Sequence, residues 1–156
     1  LILQFAKQLD NMNHLVQREK GFYEYFRKQA IKRNLITREI ANPTEEESQA
    51  ALAGLIQSSP EIKGIFVTNS QVYYLARILE KIDKTGIKVI GHDLINENIS
   101  FLKKGTIDFL ICQRPEEQGY NAITTLFEHL VLKKEVKNEN YTSIDIIAKE
   151  NLDYYR

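Results

Sequence analysis

The stretch GIFVTNSQVYYLARILEKIDKTGIKVIGHD, residues 64–93, decides how the chain folds. Two short apolar runs read as strands over 62–69 and 86–91. Between them Val72, Leu75, Ala76, Leu79 and Ile82 recur at three-and-four spacing, the stripe of a helix packed on one side. Runs of almost unbroken Ile, Val and Phe belong to strands buried on both faces, as in a parallel sheet. Ser70 stands where the helix needs an N-cap. Past the second strand come Gly91, His92 and a lone carboxylate, Asp93.

The same alternation continues on either side. Upstream, LILQFA (1–6) is strand-like, a helix over 13–30 turns Leu15, Phe22, Tyr23, Phe26 and Ala30 inward, and LITREI (35–40) is a short strand. NPTEEESQAALAGLIQ opens on Thr44 and Glu47, a capping box, and carries the stripe Ala51, Leu52, Leu55 and Ile56. Downstream, a short helix over 97–104 precedes a strand over 106–112. Pro115 suits the first turn of a long helix with Ile123, Leu126, Phe127, Leu130 and Val131 on its apolar side. A last strand over 142–148 and a closing turn or short helix complete the chain. Strands alternating with helices across short turns predict an α/β fold: a parallel sheet with helices on both faces, three layers in all.

Composition narrows the function. The chain has 156 residues, the size of one domain, with 21 Lys+Arg against 21 Asp+Glu. A neutral chain has no electrostatic footprint for nucleic acid or an anionic bilayer. No apolar run nears the roughly 18 residues of a membrane span. Cys112, the sole cysteine, cannot form an internal disulfide, and its apolar run makes it a small core residue. No glycine-rich phosphate or dinucleotide motif occurs. His14, His92 and His129 lack metal-ligand spacing and are expected as packing or surface residues, so neither metal nor cofactor is expected. The chain begins at Leu1 inside what reads as a core strand, as a piece of a longer protein would.

In open α/β sheets ligands bind beyond the carboxyl ends of the strands. Asn69, Asp93 and Gln113 stand at three such ends, and Arg18 follows the first strand by about a dozen residues. A carboxylate, two amides and a guanidinium suit a neutral polyhydroxylated ligand, since they both donate to and accept from hydroxyls. Each also has a plainer reading: Asp93 as a turn former or helix cap, Asn69 in a left-handed turn, Gln113 bonded to backbone. An enzyme using Asp93 as general base would need an acid or nucleophile beside it, and no residue presents itself. A binding module is expected rather than an enzyme.

Four motifs in order carry a resemblance: REKGF (18–22), a strand ending at Asn69, IGHD (90–93) and QRPEEQG (113–119). With the closing IDIIAKENLDYY, the chain resembles the sugar-binding periplasmic protein superfamily (type I). That superfamily includes the effector domains of LacI-type transcription regulators and ribose-binding-type transport proteins. Its pattern is Arg-x-x-Gly-Phe, a strand ending in Asn-Asp, a strand ending in Gly-x-Asp, and Gln-x-Pro-x-x-x-Gly opening a helix. Here Ser70 replaces the usual Asp, and His92 and Leu94 flank Asp93 where the repressors often carry Phe and Asp.

The resemblance implies that Arg18, Asn69, Asp93 and Gln113 contact a sugar between two lobes, with Gly91 easing the exit from its strand. It implies that 1–112 and 142–156 form the C-terminal lobe, and that 113–141 crosses the hinge and carries a helix that packs on an N-terminal lobe outside this chain. The expected role is effector binding in a cytoplasmic LacI-type regulator, homodimeric, reaching DNA only through a helix-turn-helix outside this chain. A periplasmic sugar-transport binding protein is the alternative. Within this chain alone, the apolar stripe 123–131 is expected to fold onto its own lobe or against another copy.

Overall fold

A computed structural model describes residues 1–5, 12–29 and 34–155. Ala6 and Ala30, expected in the first strand and first helix, lie outside the described residues, as does Arg156. The alternation resolves into strands β1 (Ile2–Phe5), β2 (Thr37–Ile40), β3 (Gly64–Val67), β4 (Lys88–His92), β5 (Phe109–Cys112) and β6 (Asp145–Ile147). Helices α1 (Asn13–Lys28), α2 (Glu46–Ser58), α3 (Val72–Lys81), α4 (Asn96–Lys104) and α5 (Pro115–Leu130) intervene, and a 3-10 turn spans Leu152–Tyr155. The strands form one sheet in the order β2-β1-β3-β4-β5-β6. β1 to β5 are parallel, as expected of this α/β fold, and the edge strand β6 runs antiparallel to β5, a direction the sequence did not show. The reason lies in α5, which does not pack on the sheet as a crossover helix would.

Period-2 alternation divides the strand residues between two faces. On one face Leu3, Phe5, Ile65, Val67, Val89, Leu110 and Ile147 form a single core with Leu52 and Ile56 of α2, most of the α3 stripe, and Phe101 and Leu102 of α4. Leu55 is half-buried and Ala51 is exposed, so the inward stripe of α2 is narrower than its sequence suggests. On the other face lies α1, which buries Leu15 and stacks Phe22 on Phe66 of β3, ring centroids 5.5 Å apart. Tyr23 sits at the margin of this layer, its hydroxyl 3.0 Å from Thr37 Oγ1 at the start of β2. Three layers result, with α1 over the β1–β3 side of its face. On β5 and β6 the same face leaves Phe109 and Ile146 exposed.

The local caps differ from those the sequence suggests. Thr44 donates to Asn42 Oδ1, and Asn42 in turn donates to Glu45, so neither Thr44 nor Glu47 makes a capping box at α2. Ser70 does not cap α3. The backbone amide of Tyr73, in the first turn of α3, donates instead to Asn98 of α4.

Helix α5 buries no residue. Ile123 is 70% exposed and Leu126, Phe127, Leu130 and Val131 are at least half exposed. The apolar stripe does not fold onto the rest of the described chain, one of its two expected places. An open cleft separates α5, at Gln118, Asn121, Thr125, Leu126 and His129, from the returning segment at Val136 and residues 140–142. Replacing both Ile123 and Phe127 by Glu is therefore expected to change the stability of this fold by less than about 0.5 kcal/mol in urea unfolding. A loss of 2 kcal/mol or more would show that the stripe packs inward after all.

Candidate functional site

The carboxyl ends of β1, β3, β4 and β5 stand side by side, and the four residues singled out in the sequence gather at that rim. Arg18, on the first turns of α1, donates from its guanidinium to the carbonyl of Thr68, the residue that leaves β3. Asn69 follows Thr68. Its amide donates to the carbonyl of Phe5 at the end of β1 (2.7 Å), and its Oδ1 accepts from the Gln71 amide (3.2 Å). Asn69 thus clamps two adjacent strand ends and does not have the positive φ of the left-handed turn that was its alternative.

Asp93 is the residue in the left-handed region, at φ 69°. Aspartate tolerates that conformation better than most side chains do. Its carboxylate Oδ1 accepts from Gln113 Nε2 at 3.3 Å, so the ends of β4 and β5 are joined through side chains. Gln113 is fixed from behind: Gln118, one turn into α5, donates to its carbonyl at 2.6 Å. Burial pulls the Arg18 guanidinium below its ordinary pKa, and the nearby Asp93 carboxylate acts in the opposite sense. The rim therefore holds one cation and one anion in mutual range.

An open cleft of about 780 Å³ lies beside Asp93 and Gln113, bounded by Ser70, Leu94, Glu116 and Tyr155. Arg18 and Asn69 are outside that lining and stand further along the rim. Next to the cleft Arg114, itself left-handed at φ 51°, binds Asp145 through two guanidinium nitrogens, at 2.6 and 3.1 Å. This pair ties the chain leaving β5 to the chain returning into β6, and it holds the Asp145 carboxyl below its usual range.

Gly91 has a role other than the one expected, His92 takes the buried one of its two expected places, and Gln4 and Asn98 were not singled out in the sequence. Gly91 has no positive φ, so it does not ease a turn. A Cβ there would stand under 3.0 Å from Val72, and its absence lets α3 begin directly against β4. His92 and Gln4 are buried polar residues beneath α1, and among the described residues both His92 nitrogens and Gln4 Oε1 lack a partner. Asn98 is fully buried, with its amide nitrogen and its Oδ1 both hydrogen-bonded to backbone. A polar residue in register with an apolar stripe was the available signal: Asn98 precedes Phe101 and Leu102 by three and four positions, and Gln4 interrupts LILQF.

Residues 2–135 match the family described as periplasmic binding protein domain. The chain belongs to that family. Among solved structures it is similar to a protein described as a LacI transcriptional regulator from Bacteroides fragilis, at 35% identity and TM-score 0.87, over 99% of this chain and 55% of that one. It is also similar to an ABC transporter solute-binding protein from Agrobacterium vitis bound with alpha-D-tagatopyranose (24% identity, TM-score 0.77, 97% and 50% of the two chains). A third is an ABC transporter periplasmic solute-binding protein from Actinobacillus succinogenes with bound D-allose (20%, TM-score 0.79, 99% and 54%). The chain spans about half the length of these structures. No curated protein matches it. No helix among the described residues is long and apolar enough to cross a membrane.

Proposed function

We propose that this chain is the C-terminal ligand-binding lobe of a two-lobed sugar receptor, acting as the effector domain of a LacI-type transcription regulator. The observation that carries the reading is the rim itself: Arg18, Asn69, Asp93 and Gln113 meet at adjacent strand ends beside an open cleft. Asp93 accepts from sugar hydroxyls, and Asn69, Gln113 and Arg18 supply donors. The bare stripe on α5 supports a second lobe outside this chain, because side chains of that size gain on the order of 1.5–3 kcal/mol each on burial. The ligand would bridge the lobes and favour the closed arrangement by binding it better, and closure would be the signal. DNA would be reached through a helix-turn-helix outside this chain, in a cytoplasmic homodimer.

The higher identity to the Bacteroides fragilis protein favours the regulator. The fold shared with solute-binding proteins that carry tagatose and allose supports a second reading, a periplasmic binding protein of a sugar transporter. Both readings describe a receptor and not an enzyme.

A thermal-shift screen against pentoses, hexoses and their phosphates tests the shared claim, with Asp93→Asn as control. Asparagine tolerates the left-handed conformation, so the variant should fold. Losing hydrogen bonds to a charged group costs about 1.5–3 kcal/mol, so affinity should drop on the order of tenfold to a hundredfold. A sugar that stabilises the variant as well as the parent would remove Asp93 from the site.

A further inference from the structure

We propose that Asn98 is a positioning residue for the ligand site, holding Asp93 in its left-handed conformation so that the carboxylate faces the cleft. The proposal rests on the sugar-receptor reading for its functional half and on geometry alone for its structural half.

Asn98 lies on the third residue of α4 and has no exposed surface. Its amide nitrogen approaches three backbone carbonyls: Ser70 at 2.9 Å, His92 at 3.0 Å and Asp93 at 3.1 Å. Two N–H groups are thus shared among three acceptors. On its other side Oδ1 accepts the Tyr73 amide at 3.1 Å. One side chain therefore ties the turn that follows β3, which carries Asn69 and Ser70, to the last residue of β4, His92, and to Asp93 just past it.

The two carbonyls at His92 and Asp93 flank the φ and ψ of Asp93, and fixing both fixes the residue between them. A non-glycine residue at φ 69° is held there by its surroundings. The Asp93 amide adds one more tie, donating to Ile111 on β5 at 3.0 Å. No isostere repeats the Asn98 arrangement. Aspartate would keep the acceptor for Tyr73 but would turn a carboxylate oxygen toward three carbonyl oxygens. Leucine would leave all four backbone groups unpaired.

The test uses Asn98→Asp and the milder Asn98→Ser, with Leu102→Val as a control that weakens the same helix elsewhere. Backbone couplings of Asp93 are read by NMR well below the melting temperature, and sugar affinity is read on the best ligand of the panel. In both Asn98 variants Asp93 should leave the left-handed region and affinity should fall at least tenfold. Leu102→Val should leave both within twofold of the parent despite a lower melting temperature. Asn98 variants that keep the Asp93 conformation and the affinity overturn the proposal. If the parent binds no sugar, the receptor reading fails, while the Asp93 couplings still decide what Asn98 does. Should neither variant fold, the parent decides: Asn98 carboxamide protons protected from exchange agree with the proposal, and protons exchanging as fast as those of exposed Asn121 contradict it.

Discussion

Gly91→Ala is expected to destabilise the fold by about 3 kcal/mol, toward the upper end of what overpacking a core costs. The new methyl would meet both Val72 methyls and its Cβ at under 3.0 Å. Neither side can yield cheaply. β4 is paired to β3 and β5, and α3 is wedged between α2 and α4 in the same core. Gly119→Ala, on exposed α5 with nothing near its Cβ, is the contrasting change and should be neutral or stabilising by up to about 1 kcal/mol. Urea unfolding of both variants measures the difference. A Gly91→Ala protein within 1 kcal/mol of the parent would mean that α3 does not rest on β4 as described.

The second large effect is an acid lability centred on His92. Its ring is buried against Phe66, centroids 5.7 Å apart, and its pKa falls from 6.5 to about 3. Burial is the main cause, and the positive charge of Arg18 and then His14, both on α1, add to it. The folded state thus keeps His92 neutral where the unfolded chain would protonate it. Its contribution is fully present above about pH 6.5 and is lost as pH falls toward 3, at roughly 1.4 kcal/mol per pH unit. By pH 4 the loss reaches about 3 kcal/mol. Other groups titrate in the same range, so the comparison must be with His92→Phe, which keeps the ring contact and cannot take a proton. The variant should be more stable than the parent at pH 7, by about 1–3 kcal/mol for removing unpaired buried nitrogens, and the gap should widen on acidification. A gap that stays constant from pH 7 to pH 4 would show that the ring is protonated in the fold or is solvated.

Much of the layer architecture could be read from residue types because each signal was local. The stripe from Val72 to Leu79 and the apolar runs at β3 and β4 need only periodicity, and the structure returns all of them within a few residues. What could not be read was set by distant partners. β6 resembles any other short strand, and its direction follows from α5 standing off the sheet, which no feature of Asp145–Ile147 records. Thr44 and Ser70 fit capping patterns, yet Asn42 and Asn98 offered better partners. Gly91 looked like a turn glycine, and its role depends on Val72, nineteen positions earlier in the chain. His92 was expected to pack or to lie at the surface, and only the packing of α1 shows which.

The candidate site divides the same way. Strand ends could be placed from sequence, so Asn69, Asp93 and Gln113 were legible as neighbours on one rim. Their contacts were not. That Asn69 bonds the end of β1, that Gln113 rests on Asp93, and that Asn98 supports both strand exits are consequences of register and helix packing.

An amide-shift titration of the isotopically labelled chain tests the central claim most directly, using the sugar that stabilises it best. Shifts should concentrate at Arg18, Asn69, Asp93 and Gln113 and their immediate neighbours, and saturate only in the millimolar range, because in the proposed receptor a second lobe would supply the remaining contacts. Shifts confined to the far ends of the strands or to α2, or none for any sugar at tens of millimolar, would contradict it.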